Sequence, residues 1–349
     1  MVERLSAIEL AERHERLRSM MTGYKLSKAL YVVAKLGLAD LIAAGATDAE
    51  TLSRATHTDA ESLRRLLRFV AAAGVFSEHS PSVFHLSPVG ELLVSDRDGS
   101  DRAWILKEGE LWWESWDRLL DTVTTGTPGF DLVHGKGLFD YLEESASTEV
   151  AGRTLAALSS AGSDAEVRAI LAAYDVGGYS TVVDVGGGNG VLLFALLHQH
   201  PHVCGVLFDL PYVIALAHQA RAAAGLSERC QTIGGSFFES VPAGGDLYIL
   251  RSVLHDWNDA RALAILRQCR RALSLDARLL VIEVLRSDDE ATDAERFSAA
   301  QRDVNLMVMT SGRKRAVDEH RALLEAAGFA LGRVIPTAGR FVILEASPR

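Results

Sequence analysis

A chain of 349 residues, 48% hydrophobic and 23% charged, has the make-up of a globular protein too long for one ordinary core, so two domains, or one with a large helical appendage, are expected. Its formal net charge of −10 at pH 7 counts against a general binder of nucleic acid or anionic membranes. Cys204, Cys230 and Cys269 are widely spaced and never form a CxxC pair, which argues against a disulfide framework or thiolate metal site; with no basic-then-apolar leader and with the apolar run over 29–44 broken by Lys35 and Asp40, a cytoplasmic location is expected.

From Ser6 to about Leu120 apolar residues recur at three and four, as in Leu26, Leu30, Val33 and Ala34, which predicts a mainly helical half. A helix over 23–44 is too apolar around its surface to be left in water by a monomer. Residues 48–55, 58–73 and 75–93 read as helix, turn, helix and short hairpin, a winged-helix pattern that can bind DNA or simply pack. Arg64, Arg65 and Arg68 lie on its second helix, but Asp59 and Glu61 sit beside them, and the basic stripe that DNA binding needs is missing.

From residue 179 onward short apolar runs alternate with amphipathic helical stretches. Residues 181–185, 204–210, 246–250, 279–284 and 340–344 are strand-like, which predicts an α/β fold on a doubly wound, mostly parallel sheet. Ligands of such sheets bind beyond the carboxyl ends of the strands. The first such loop, Asp184-Val185-Gly186-Gly187-Gly188-Asn189-Gly190, has DxGxGxG spacing and opens a helix at Val191. Nicotinamide dinucleotides prefer GxGxxG, which sets a pyrophosphate on the helix N-terminus; here the third glycine arrives one residue early, and the loop suits a ligand without phosphates. Its glycines let the backbone approach an amino-acid and ribose moiety, and Asp184 can accept hydrogen bonds from an ammonium; the plainer alternative is a tight strand-to-helix turn. Asp209 ends the next strand about twenty residues on, where a carboxylate can chelate ribose hydroxyls in dinucleotide and adenosylmethionine enzymes alike. In Gly234-Gly235-Ser236-Phe237-Phe238, Phe237 can stack on an adenine and Ser236 can hydrogen-bond near it, while Phe238 reads equally as core. Finally, Arg251-Ser252-Val253-Leu254-His255-Asp256-Trp257 puts His255 just past a strand end, where neutral imidazole, with an ordinary pKa of about 6.5, can take a proton from a phenol or enol.

The set VVDVGGGNG, FDLP, GGSFFESVP, LHDW and LLEAAGF resembles the small-molecule S-adenosylmethionine-dependent O-methyltransferases, which include plant caffeic acid, animal hydroxyindole and bacterial antibiotic-pathway enzymes. The likeness spans nearly the whole chain, including the winged-helix stretch ending in Phe84-His85-Leu86-Ser87. It implies a class I methyltransferase sheet, a homodimer through an N-terminal helical, winged-helix-like dimerisation domain, S-adenosylmethionine as cofactor with S-adenosylhomocysteine as product, and no metal. The expected domains are 1–100 for dimerisation, 101–170 for a helical connection and substrate pocket, and 171–349 for the methyltransferase sheet. The resemblance assigns Gly186 and Gly188 to the methionine part of the cofactor, Asp209 with Leu210 to the ribose side and Ser236 with Phe237 to the adenine; Arg251 preserves the charge of a lysine common in the family. His255 matches the general base, with Asp256 beside it and Glu283 as a carboxylate orienting it. Ser236 replaces a usual aspartate, and Lys314 replaces the glutamate of a GxER pattern, leaving Glu283 alone to orient the histidine.

The expected reaction is in-line methyl transfer to a phenolic oxygen of a small, polyketide-derived aromatic. Residues 104–141 with Asn305, Met307 and Met309 are expected to close the pocket; Trp112, Trp113 and Trp116 either stack on the substrate or fill the helical core. Lys314, within Arg313-Lys314-Arg315, either meets a substrate carboxylate or points into solvent. Alternative readings are a same-fold hydroxylase or decarboxylase and, from a different class, a winged-helix regulator; the glycine spacing disfavours a nicotinamide oxidoreductase.

Overall fold

The computed structural model describes residues 6–97, 99–145, 150, 152, 154, 157, 164–286 and 292–349. Two compact units divide the chain, Met1–Trp113 and Glu114–Arg349.

The first unit opens with a 29-residue helix, Ala7–Lys35, begun by a reciprocal capping box between Ser6 and Glu9. The helix expected over 23–44 is in fact the end of this long one plus a separate helix, Leu38–Ala43, because Gly37 takes a left-handed turn at φ 64°. Helices Ala49–Thr56 and Ala60–Ala72 are capped by the Asp48 and Asp59 side chains, and strands β1 (Phe76–Ser80) and β2 (Val83–Leu86) pair as the antiparallel wing. Val33, Leu38, Leu52, Leu67, Val70 and Phe84 are fully buried in its core. Arg64 pairs with Glu61 at 2.6 Å and Arg68 with Glu78 at 3.0 Å, so acids of the same unit neutralise two cations of the second winged-helix helix. Ile8, Leu17, Met20, Met21 and Tyr24 stay exposed along one long helix of the single chain.

The second unit holds strands β3 (Thr181–Val185), β4 (Cys204–Asp209), β5 (Cys230–Gly234), β6 (Leu247–Arg251), β7 (Arg278–Glu283), β8 (Phe329–Pro336) and β9 (Val342–Pro348). Their order is β5-β4-β3-β6-β7-β9-β8, parallel from β5 to β7 and antiparallel over the last two. Alternate residues bury opposite faces: Val182, Leu207, Ile249 and Ile282 belong to one core, and Val183, Phe208, Leu250 and Val281 to the other. Helices Asp164–Ala173 and Val191–Gln199 cover the first face, helices Asp259–Ala272 and Val317–Ala326 the second. Chain direction across the sheet reverses between β3 and β6, so the ligand crevice of such a sheet falls there.

Two strands are additional to those read from sequence. β5 and β8 lie at the two edges and are only partly buried, so neither has the continuous apolar run that marks a strand buried on both faces. The last strand begins at Val342 rather than 340, after a turn over 337–340.

Candidate active site

The loop after β3 turns through left-handed glycines: φ is 71° at Gly186, 61° at Gly188 and 84° at Gly190. A Cβ on Gly186 would come within 2.8 Å of Val253 and 3.6 Å of Phe237, so its bare backbone separates the β6 loop from the β5 loop at the switch point. Gly188 N–H donates to Asp209 Oδ2 at 2.8 Å, and Leu210 N–H donates to Oδ1 at 2.7 Å, which ties the first two cofactor-type loops together. Burial raises the Asp209 pKa despite these two donors.

Asp184 is 2% exposed and its Oδ1 has no hydrogen-bond partner, as is true of the buried Asn189 Oδ1. Burial lifts the Asp184 carboxyl to about 7; nearby Arg251 opposes the rise and Asp209 adds to it. An orphaned acceptor behind a glycine cradle fits a ligand carrying an ammonium.

Past β5, Phe237 lies edge-on to Phe238 at 4.9 Å and to Trp257 at 6.1 Å, flanking the glycine loop. The Ser236 hydroxyl accepts the Phe238 N–H at 3.3 Å, a turn-forming bond its sequence position did not announce. Phe139, from helix Leu138–Glu144, meets Trp257 at 5.3 Å, while its carbonyl accepts the Tyr212 hydroxyl at 3.4 Å.

At the end of β6, Ser252 adopts φ 55°, a strained conformation for a residue with a side chain, and its N–H bonds to the Ile282 carbonyl at 3.0 Å. The short turn Leu254–Asp256 that follows holds His255 against Glu283, with Nδ1 to Oε2 at 2.6 Å and the His255 backbone N–H to Oε1 at 3.3 Å. Asp256 Oδ1 lies 3.5 Å from Nε2. Burial lowers the affinity of His255 for a proton, but Glu283 and Asp256 outweigh it and the pKa ends above the ordinary histidine value. Glu283, 1% exposed, is pushed upward by burial, but the charge and hydrogen bond of His255 prevail and hold it down at about 2. Nδ1 therefore carries the hydrogen bonded to Glu283, and Nε2 is the nitrogen left to exchange a proton.

Residues 310–316 clamp this turn from below, a feature sequence reasoning missed. Arg315 is fully buried and donates to the carbonyls of Leu254 at 2.7 Å and Trp257 at 2.6 Å, while pairing with Asp259 at 2.9 Å. Arg313 N–H donates to the His255 carbonyl at 2.9 Å, and a Cβ on Gly312 would sit 2.0 Å from that oxygen, so only glycine lets the segments meet. These contacts join residues about sixty positions apart, which local spacing cannot disclose.

Asn305, on helix Asp293–Met309, accepts the Trp116 indole N–H at 3.1 Å, so the structure brings these two candidate substrate residues together. Met309 is buried at 2% exposure and Met307 is half-buried. Trp113 lies in the first unit, its ring 3.6 Å from Lys28 Nζ, and Trp112 is buried beside Lys107. Lys314 does not stand out in solvent: it is half-buried, and its N–H donates to Asp303 Oδ1 at 2.6 Å. Among the described residues no group of three or more His, Cys, Asp or Glu side chains is placed to hold a metal, and no helix is long and apolar enough to cross a membrane.

A mostly parallel sheet with a glycine crevice whose spacing suits a ligand without phosphates, beside a buried histidine–carboxylate pair, has the architecture of a class I, S-adenosylmethionine-dependent methyltransferase. Residues 116–330 match the family model of the O-methyltransferase domain and 19–96 that of the O-methyltransferase dimerisation domain, and the chain belongs to this O-methyltransferase family. The phenazine O-methyltransferase of Lysobacter antibioticus is 40% identical over 95% of this chain and 95% of its own. The phenazine-1-carboxylate N-methyltransferase of Pseudomonas aeruginosa is 33% identical over 94% and 96%. Among solved structures, an O-methyltransferase of neocarzinostatin biosynthesis, in complex with S-adenosylmethionine and 2-hydroxy-5-methyl naphthoic acid, aligns at TM-score 0.79 and 31% identity over 93% of this chain and 96% of that one. The chain is thus an S-adenosylmethionine-dependent O-methyltransferase of secondary metabolism that assembles as a homodimer through its dimerisation domain.

Proposed function

We propose that the enzyme methylates a phenolic oxygen of a small aromatic metabolite, with His255 Nε2 taking the phenolic proton. The observation that carries this reading is the 2.6 Å His255–Glu283 pair at the carboxyl end of the sheet, next to the β3–β6 crevice. When bound, S-adenosylmethionine supplies an activated methyl group on a sulfonium. Asp184, Gly186 and Gly188 serve its amino-acid end, Asp209 and Leu210 its ribose, and Phe237 with Ser236 its adenine side, while Arg251 sets the charge behind Asp184. Phe139 and Trp257 keep water from the crevice. Glu283 fixes the tautomer of His255 and stabilises the imidazolium once the proton has moved, and Asp256 lies beside the accepting nitrogen. Trp116, Asn305 and Met309 are the proposed substrate-holding residues.

Base catalysis of this kind contributes about 10² to 10⁴ in rate, and positioning supplies a larger share. The test is mass spectrometry of products formed from labelled methyl donor and a panel of phenols and anilines. Label on a phenolic oxygen supports the reading. Label only on nitrogen, the acceptor of the Pseudomonas relative, or a mass gain of about 16 from hydroxylation rather than about 14, would overturn it.

A further inference from the structure

Three consecutive cations close the clamp below the catalytic turn, and their neighbours differ. Arg313 pairs with Asp259 at 2.8 Å and Glu319 at 2.7 Å, and Arg315 with Asp259 at 2.9 Å. Lys314, between them, has no hydrogen bond or ion pair through its ammonium among the described residues. Its electrostatic neighbours place it beside the catalytic pair: burial depresses its pKa, Glu283 and Asp256 act against that, and Arg302 and Arg340 add to it. Arg302 lies three residues before Asn305 on helix Asp293–Met309, and so shares the helix face that reaches Trp116. Its Nη1 donates to Ser298 Oγ at 2.6 Å, but its Nε is buried with no partner.

Of the acids nearby, Glu283 holds His255, Glu166 holds Arg340 at 2.5 Å, and one oxygen of Asp303 accepts the Lys314 backbone N–H. Asp256 faces both Lys314 and His255, 3.5 Å from Nε2 of the latter, and with Glu283 offsets part of the Lys314 charge. Two neighbouring cations drawn partly out of water repel each other, and an anion between them relieves that cost.

We infer that the substrate carries a carboxylate on its aromatic ring, close to the acceptor oxygen, and that Lys314 and Arg302 hold it. This rests on the phenol-methylation reading above. A carboxylate has two coplanar acceptor oxygens, one for an ammonium and one for a guanidinium N–H. A single negative charge suits the site better than a phosphate dianion, whose second charge would face Glu283 and Asp256. The replacement of the family's glutamate by Lys314 then becomes a specificity device: a carboxylate in that position repels an acidic substrate, whereas an ammonium selects it.

The experiment compares a 2-hydroxybenzoate-type acid with its primary amide and methyl ester in wild type, Lys314→Met and Arg302→Met. The wild type should prefer the acid in kcat/KM, and each variant should lower the acid-to-amide ratio by about 10-fold to 100-fold, chiefly through KM. An unchanged ratio in both variants overturns the inference, as does methyl transfer to the carboxylate itself, seen as an alkali-labile ester. If no phenol in the panel is methylated, the parent reading fails, and calorimetric binding of acid and amide to the wild type decides the charge reading separately: equal affinities overturn it and tighter acid binding supports it. The same titration serves if either variant fails to fold.

Discussion

The two halves of the crevice are held by different forces. At the ends of β3 and β4 the shape comes from backbone: left-handed glycines, N–H groups on Asp209, and a buried Asp184 with an oxygen unpaired by the protein. At the ends of β6 and β7 it comes from charge, with His255 on Glu283 and Arg315 beneath the turn. The first half leaves a buried acceptor unpaired until a ligand arrives, whereas in the second His255 and Glu283 are already paired with each other. A side chain added to the first should hurt binding, and a charge removed from the second should hurt turnover.

His255→Ala should give the largest separation, lowering kcat by roughly 10² to 10⁴ while calorimetry finds cofactor affinity within about threefold of wild type. A loss in kcat below about tenfold would mean that positioning alone does the chemistry. Gly186→Ala should do the reverse. The left-handed φ and the crowding of Val253 should lower stability by about 1–3 kcal/mol and weaken S-adenosylmethionine by on the order of 100-fold, read by thermal melts and titration.

Glu283→Gln should cost about tenfold in turnover, less than loss of His255, because it orients the ring without touching substrate. It should also move the ascending limb of the pH–rate profile downward. In the wild type that limb sits above the ordinary histidine value, since the base must be neutral and the fold raises its pKa. The linked stability has the opposite sense: a raised histidine pKa stabilises the fold below the unfolded value of about 6.5, and that gain is lost as pH rises through the folded value. Glu283, held at about 2, keeps its contribution at neutral pH and loses it only as pH falls toward that value.

The smallest effect belongs to Asp184. With its carboxyl raised to about 7, cofactor affinity should fall as pH drops through that value, and Asp184→Asn should flatten the dependence. The variant should also melt higher above pH 7, because a raised carboxyl pKa means that the fold resists the charge. A flat affinity profile in the wild type would remove Asp184 from ammonium binding.

The first half of the crevice was more legible in the sequence than the second. VVDVGGGNG couples a buried strand, the glycine spacing and the helix start in one continuous stretch, and Asp209 follows one strand later. His255 was visible because it follows a strand whose apolar run is unmistakable, and Glu283, at the end of the next, through the family resemblance. What clamps them was not, since Gly312 and Arg315 act through the chain's return from 60 residues away and look locally like an ordinary basic loop. The strained Ser252 and the edge strands β5 and β8 were hidden for related reasons: no residue type marks the former, and half-exposed strands lack the continuous apolar signal. Lys314 was visible as a departure from the family pattern, but its half-buried place beside the catalytic turn required the fold.

The Arg315 clamp also ties the catalytic turn to the end of the chain. Leu254 takes its hydrogen bond from Arg315, 61 residues further on, and the cores on the two sheet faces, which underlie both halves of the crevice, take Ile343 and Leu344 from the last strand. Because domains generally fold as units, arrival of that last strand is the event that completes both halves together.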